Sequence, residues 1–203
     1  MSKPPARPKP EPTPRSERRR LTHVDRSGRP RMVDVSAKAT TARRAVAEAL
    51  VAVSPETMSL VIDGGGAKGD VLTVAELAGV MGGKRTSELV PLCHPLPLTD
   101  LSVAITPDRP AGLLRIRAEA ATVAPTGVEM EALVAATVAA LTVYDMVKGV
   151  ERGVEIRSVR LLEKDGGRSG AWRRPLDEPE RSARPARPTK GGRAAGRIHP
   201  GPR

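Results

Sequence analysis

Gly127-Val128-Glu129-Met130-Glu131-Ala132-Leu133-Val134-Ala135-Ala136-Thr137-Val138-Ala139-Ala140-Leu141-Thr142-Val143-Tyr144-Asp145-Met146-Val147-Lys148 reads as one long helix. Alanine dominates it, no proline interrupts it, and Gly149 and Gly153 stop it. Its polar residues are few and sit at the ends. Glu129 and Glu131 lie in the first turns, where negative charge complements the positive end of the helix dipole. Asp145 and Lys148 are three apart near the other end and share a face. A simple ion pair accounts for them, and so does an acid–base couple in which each group shifts the other's pKa. From Glu131 to Asp145 the helix covers about 21 Å at roughly 1.5 Å per residue. One copy therefore cannot easily bring both ends to one small-molecule pocket. Antiparallel copies across a two-fold axis can, which predicts a homo-oligomer with a shared site. The apolar part, Leu133 to Val147, contains Asp145 and is shorter than the roughly 20 residues that span a bilayer.

Strand patterns flank this helix. Leu101–Thr106 and Leu113–Ala121 read as a hairpin turning at Pro107–Pro110, with Leu114, Ile116 and Ala118 alternating against Arg115, Arg117 and Glu119. Val154–Leu162 reads as a further strand. Towards the N-terminus, Met32–Val35 reads as a short strand, while Thr41–Val53 admits two readings. Its alanines favour a helix, yet Ala45, Ala47, Ala49, Val51 and Val53 also fall on one face of a strand. Pro55-Glu56 opens a short helix ending at Asp63–Gly66. A clearer one carries Val71, Val74, Ala75, Ala78 and Met81 on one side and ends at Gly82-Gly83, with a further turn over Lys84–Leu89. The order predicts an α+β protein: a ferredoxin-like βαββαβ arrangement, its sheet mostly antiparallel, with helices packed on one face.

Charge divides the chain into three. Residues 1–20 hold seven Lys/Arg against two Glu, and residues 171–203 hold nine against three Asp/Glu, which accounts for the whole formal charge of +11. Residues 21–170 are neutral, with 18 basic and 18 acidic side chains. The Pro/Arg-rich ends have too little apolar content to offset the entropy of ordering, so they read as disordered tails around one catalytic domain, 21–170. Their basicity does not make a nucleic-acid binder, and the aromatic platform that single-strand recognition uses has almost no residues: no Phe, one Trp and one Tyr. Cys93 is the only cysteine, which excludes an intrachain disulfide and a Cys-rich zinc module and suits a soluble protein of the reducing cytoplasm.

Gly64-Gly65-Gly66-Ala67-Lys68-Gly69 satisfies G-x-G-x-x-G, but no repeated βαβ series surrounds it, which disfavours dinucleotide binding and a nicotinamide-dependent oxidoreductase. A Walker A reading ending at Lys84 fails at Ala78 and Arg85. What survives is a loop lysine, Lys68, beside N–H groups able to approach a phosphate. Cys93-His94 lies between Pro91 and Pro95 in a rigid turn, and His94 is the one histidine well inside the folded segment. It suits a hydrogen-bond donor or proton shuttle as well as a structural role. No metal-ligand spacing accompanies it.

Several blocks, in order, carry a family likeness: Leu21-Thr22-His23-Val24, Met32-Val33-Asp34-Val35-Ser36-Ala37-Lys38, Lys68-Gly69-Asp70-Val71, Lys84-Arg85-Thr86, Pro91-Leu92-Cys93-His94-Pro95-Leu96, Gly127 to Leu133 and Leu141 to Lys148. Over about 21–170 the chain closely resembles the cyclic pyranopterin monophosphate synthases of molybdenum-cofactor biosynthesis. The resemblance implies a hexamer built from dimers, with sites at subunit interfaces. It also implies a small-molecule substrate derived from GTP, a 3′,8-cyclised dihydroguanosine triphosphate, converted to cyclic pyranopterin monophosphate with release of diphosphate. By the same resemblance Asp145 and Lys148 are acid–base residues and Lys68 is catalytic or neutralises phosphate. Leu92, Cys93, His94, Glu129, Met130 and Glu131 are substrate contacts, and Lys84 and Arg85 clamp the triphosphate. No resident cofactor or protein-held metal is implied, Mg²⁺ being an optional companion of the triphosphate. The Gly64–Ala67 lead-in to Lys68 departs from the family in being poor in polar side chains.

Overall fold

The computed structural model describes residues 23–24, 27–64 and 69–175. Lys68, the residues 1–20 and those beyond 175 lie outside the described residues. The elements run β1 (Thr41–Ala52), α1 (Pro55–Ile62), α2 (Val71–Lys84), α3 (Thr86–Leu89), β2 (Leu98–Asp108), β3 (Leu113–Ala124), α4 (Glu129–Val147), β4 (Glu155–Asp165) and β5 (Trp172–Arg173). They form one five-stranded sheet, ordered β2-β3-β1-β4-β5, with every pairing antiparallel. The first four strands have the ferredoxin-like order, as expected, and the absence of a parallel βαβ pair among them removes the basis for a dinucleotide-binding fold.

Tertiary context settles the ambiguous segment as a strand. β1 is central, paired with β3 on one side and β4 on the other, and Ala45, Ala47, Ala49 and Val51 are fully buried beneath the helices. Alanine's helix preference amounts to a few tenths of a kcal/mol per residue, which two ladders of hydrogen bonds and a buried face outweigh. The opposite face of the sheet carries ion pairs in place of a second layer. Arg44 bridges Glu119, Glu163 and Asp165, and Arg160 reaches Glu48 at 2.7 Å. On this face Val46 is completely buried and Leu50 nearly so.

The helices cover the sheet through small residues. α2 and α4 pack together, and α4 lies across β1, β3 and β4. Buried positions of α4 include Ala132, Ala135, Ala136, Ala139, Ala140 and Val143. On length and composition α4 could cross a membrane, but this buried face is that of a core helix. The glycine pair expected to end α2 lies within it, because the helix continues to Lys84 and both glycines are buried. A Cβ on Gly79 would sit 2.9 Å from the Ala135 carbonyl oxygen, and one on Gly82 would sit 2.6 Å from Val138 Cγ2. The glycines therefore set how closely the two helices approach. The buried stripe of α2 is Val71, Ala75, Gly79, Gly82 and Gly83, so Val74 and Met81, expected on the inner face, point outward with Leu77.

Two further expectations are corrected. Met32–Val35 is not a strand. Its alternation is real, Val33 and Val35 being half-buried, but its polar groups are taken locally and by a loop: the Val33 carbonyl accepts from His94 and the Val35 carbonyl from Lys38 N. Order also does not stop at 170. Trp172 and Arg173 pair with Lys164 and Glu163, and Arg173 holds Asp165 through two hydrogen bonds of 2.9 and 3.0 Å.

Asp70 caps α2 by accepting from Leu72 N and Thr73 N, and Ser54 caps α1. Neither cap touches the α2–α4 seam, which can be tested separately. Gly82→Ala gains about 1 kcal/mol of helix propensity but incurs overpacking of about 1–3 kcal/mol. Urea melts are expected to show net destabilisation, partly relieved in the Gly82→Ala/Val138→Ala double variant.

Candidate functional site

The proline-bounded turn and the start of α4 face each other. Within the turn, Cys93 N donates to the Val90 carbonyl at 3.0 Å. His94 Nε2 lies 2.9 Å from the Val33 carbonyl oxygen. A carbonyl only accepts, so Nε2 carries a proton and donates it to Val33. Thus the Met32–Val35 segment orients the imidazole. Opposite, α4 begins at Glu129 with Val128 as its N-cap and without a side-chain cap, leaving acidic residues in the first turn to complement its dipole. Gly127 leaves room beside them: a Cβ there would meet the Glu129 carboxylate, which folds back over the glycine, and displace it.

Between these elements lies an apolar cavity of about 690 Å³. Leu92, Cys93, His94, Glu129 and Met130 line it, joined by His23. A second cavity of about 750 Å³ has a different character, being lined by Lys38, Arg43, Arg44, Lys164 and Arg168 with Glu129 and Asp165. The two share Thr126, Gly127 and Glu129. One mouth is apolar with a few polar groups, and its neighbour is rich in cations. That combination suits a ligand with a flat ring at one end and phosphates at the other.

Glu131 sits behind the apolar wall. It is only 3 % exposed, and its Oε1 accepts from the Cys93 thiol at 3.7 Å. Its Oε2 is buried with no hydrogen-bond partner among the described residues. Burial raises its pKa from the ordinary carboxylate value, as does the nearby charge of Glu129. The Cys93 thiol is pushed up to about 11, first by burial and then by Glu131. Such a thiol is a poor nucleophile at neutral pH.

The structure gathers only part of the expected site. Leu92, Cys93, His94, Glu129 and Met130 meet at one cavity, with Glu131 behind them. Lys84 and Arg85 close α2 as exposed residues and line neither cavity. Asp145 and Lys148 form a 2.5 Å ion pair at the far end of α4, with side chains 56 % and 53 % exposed. Pairing with Asp145 raises the Lys148 pKa, opposite to the shift of a desolvated proton donor. Lys38, Arg43, Lys164 and Arg168 were not among the expected site residues. Their signal was the glycine pair after β4: Gly166 and Gly167 take positive φ of 91° and 74° and wrap the Arg43 side chain, folding Lys164 to Ser169 over the second cavity.

Fold and cavities define a ferredoxin-like α+β protein with a composite small-molecule site, one half apolar and one half cationic. Residues 32–167 match the MoaC family, and the chain belongs to it. It is 57 % identical over 158 residues to the cyclic pyranopterin monophosphate synthase of Thermomicrobium roseum, covering 78 % of this chain and 95 % of that protein. The protein of the same name from Brucella ovis is 55 % identical over 153 residues, covering 75 % and 93 %. Residues 32–167 include the lining of both cavities except for His23, Pro30, Arg168 and Ser169.

Two outcomes follow from this geometry. Gly127→Ala meets only the end of a flexible side chain, so its thermal melt should match the parent while displacement of Glu129 lowers kcat/KM about 10–100-fold. Glu131 binds its proton more tightly folded than unfolded. The contribution of Glu131 to stability should therefore be greatest below the ordinary carboxylate range and fall as pH rises toward its raised value. Denaturant midpoints measured against pH should lose this decline in Glu131→Gln.

Proposed function

We propose that this chain converts the 3′,8-cyclised dihydroguanosine triphosphate to cyclic pyranopterin monophosphate and diphosphate. The observation that carries the reading is the junction of an apolar and a cationic cavity at the start of α4. The purine-derived ring enters the first, against Leu92, Cys93, His94 and Met130. The triphosphate enters the second. There Lys38, Arg43, Lys164 and Arg168 neutralise it and stabilise charge on the α-phosphate as a ribose hydroxyl attacks and diphosphate leaves. Mg²⁺ travels, if at all, with the triphosphate.

Ring opening and closure need proton transfers, which we assign to Asp145 and Lys148 together with Lys68. In one chain the Asp145–Lys148 pair is about 21 Å along α4 from Glu131. It therefore acts in the site of a second copy, as do Lys84 and Arg85 in clamping the triphosphate. An uncovered apolar stripe supports assembly: Val74, Leu77 and Met81 recur along α2, and Leu141 is exposed on α4. We take the assembly to be a hexamer built from dimers, working in the cytoplasm.

Incubation with the cyclised substrate should release diphosphate, and no release would overturn the assignment. Lys148→Ala and His94→Ala are each expected to lower turnover about 10²–10⁴-fold with unchanged melting. Co-expressed as mixed oligomers, the two variants should recover activity, because some sites then combine an intact His94 with an intact Lys148. Mixed oligomers that form without recovering activity would place the whole site within one chain.

A further inference from the structure

The cavity wall contains a buried acid that the proposed chemistry does not use. Glu131 is 97 % buried, counted from its 3 % exposure, and one carboxyl oxygen has no partner among the described residues. Its other oxygen meets the thiol of Cys93, which lines the apolar cavity. An ionised carboxylate so placed would have lost its hydration with only its own backbone N–H and one weak thiol donor in exchange, and a buried acid in that position neutralises by holding its proton. We infer that Glu131 is a positioning residue, a neutral carboxylic acid that accepts the Cys93 S–H and holds that side chain as an uncharged, oriented thiol against the ligand's ring.

Burial first, and then the charge of Glu129, favour the neutral form over the hydrogen bonds from Glu131's own N–H and from Cys93, which oppose it. On α4 itself, Glu129 lies one turn edge away and its negative charge opposes a second one. From α2, the Gly83 backbone packs against the Glu131 carbonyl, while the cations that follow, Lys84 and Arg85, are exposed. From the proline-bounded turn come Cys93 and His94, and the His94 Nε2 proton is committed to Val33. His23 reaches the same cavity from the N-terminal segment. Among the described residues, Cys93 is the one other side chain that hydrogen-bonds to the carboxyl. Burial raises both groups' pKa values, in keeping with a pair that carries no charge at neutral pH. A charged wall would repel the electron-rich edge of a purine-derived ring, whereas a thiol offers a soft, polarisable surface.

The test uses the full chain without substrate, so it fails separately from the proposed reaction although it concerns the same site. Infrared spectra at neutral pH should show a protonated-carboxyl band that Glu131→Gln removes. A missing band, or one that survives the substitution, would overturn the inference. Cys93→Ala should move that band to higher frequency, because the carbonyl loses its donor, and an unmoved band would break the link between the two residues. This variant also carries the test if Glu131→Gln fails to fold. Cys93 is the only cysteine, so alkylation rate against pH reports it alone. Ionisation near about 11 is expected in the parent. Above the pH at which Glu131 ionises, its charge opposes the thiolate, so Glu131→Gln should ionise at lower pH. Equal curves would count against coupling. A structural acid without the link to Cys93 would leave its band unmoved in Cys93→Ala and the two alkylation curves equal.

Discussion

The close approach of α2 to α4 is the constraint on which the rest depends. With no Phe in the chain, the core is built from Ala, Val, Leu, Ile and Met, and its layers fit together by coming near rather than by filling space with rings. Gly79, Gly82 and Gly83 let α2 settle on the alanine face of α4, and that face in turn rests on the alanines of β1. Such a core gains less from each side chain than a leucine-rich one, so it relies on contact density. It also fixes α4 in direction and depth. The N-terminus of that helix then falls between the proline-bounded turn and the glycine turn after β4, where the two cavities meet.

Position along one helix separates groups that look alike in sequence. Glu129 and Glu131 both complement the same dipole, yet they have opposite surroundings. Glu129 stands where both cavities meet, and Gly127 leaves room for its carboxylate. Glu131, two residues on, turns inward and becomes almost fully buried. The cations divide similarly. Both Arg43 and Arg44 line the second cavity, but Arg44 is held within a net of carboxylates, whereas Arg43 turns toward the Gly166-Gly167 loop. Alternation along the strand gives adjacent arginines different neighbours even where both border one cavity.

The same rigid helix holds Asp145 and Lys148 away from everything else polar in the site. Their mutual ion pair leaves them exposed and highly hydrated in a single chain. A pair in that condition has ordinary surface chemistry, and only removal from water would make it a useful proton carrier. The exposed apolar stripe on α2 and Leu141 on α4 lies on the same side of the protein's logic: surfaces that one copy leaves unfinished.

Local signals determined much of this protein. The long helix from 129 to 147, the hairpin of β2 and β3, the short helix opened by Pro55 and the α+β order all follow from periodicity, alanine content and turn residues, which act over a few neighbours. The turn at Cys93-His94 and the acidic start of α4 were legible for the same reason. Three features were not. Thr41–Ala52 became a strand because β3 and β4 flank it, Met32–Val35 did not because its carbonyl was claimed by His94, and the glycines of α2 stayed helical because α4 rewards their missing Cβ atoms. The gathering of Lys38, Arg43, Lys164 and Arg168 around one cavity belongs with them. Each depends on a partner distant in the chain. A sequence pattern records what a residue prefers, but which surfaces and charges it finally meets is fixed only when the layers pack.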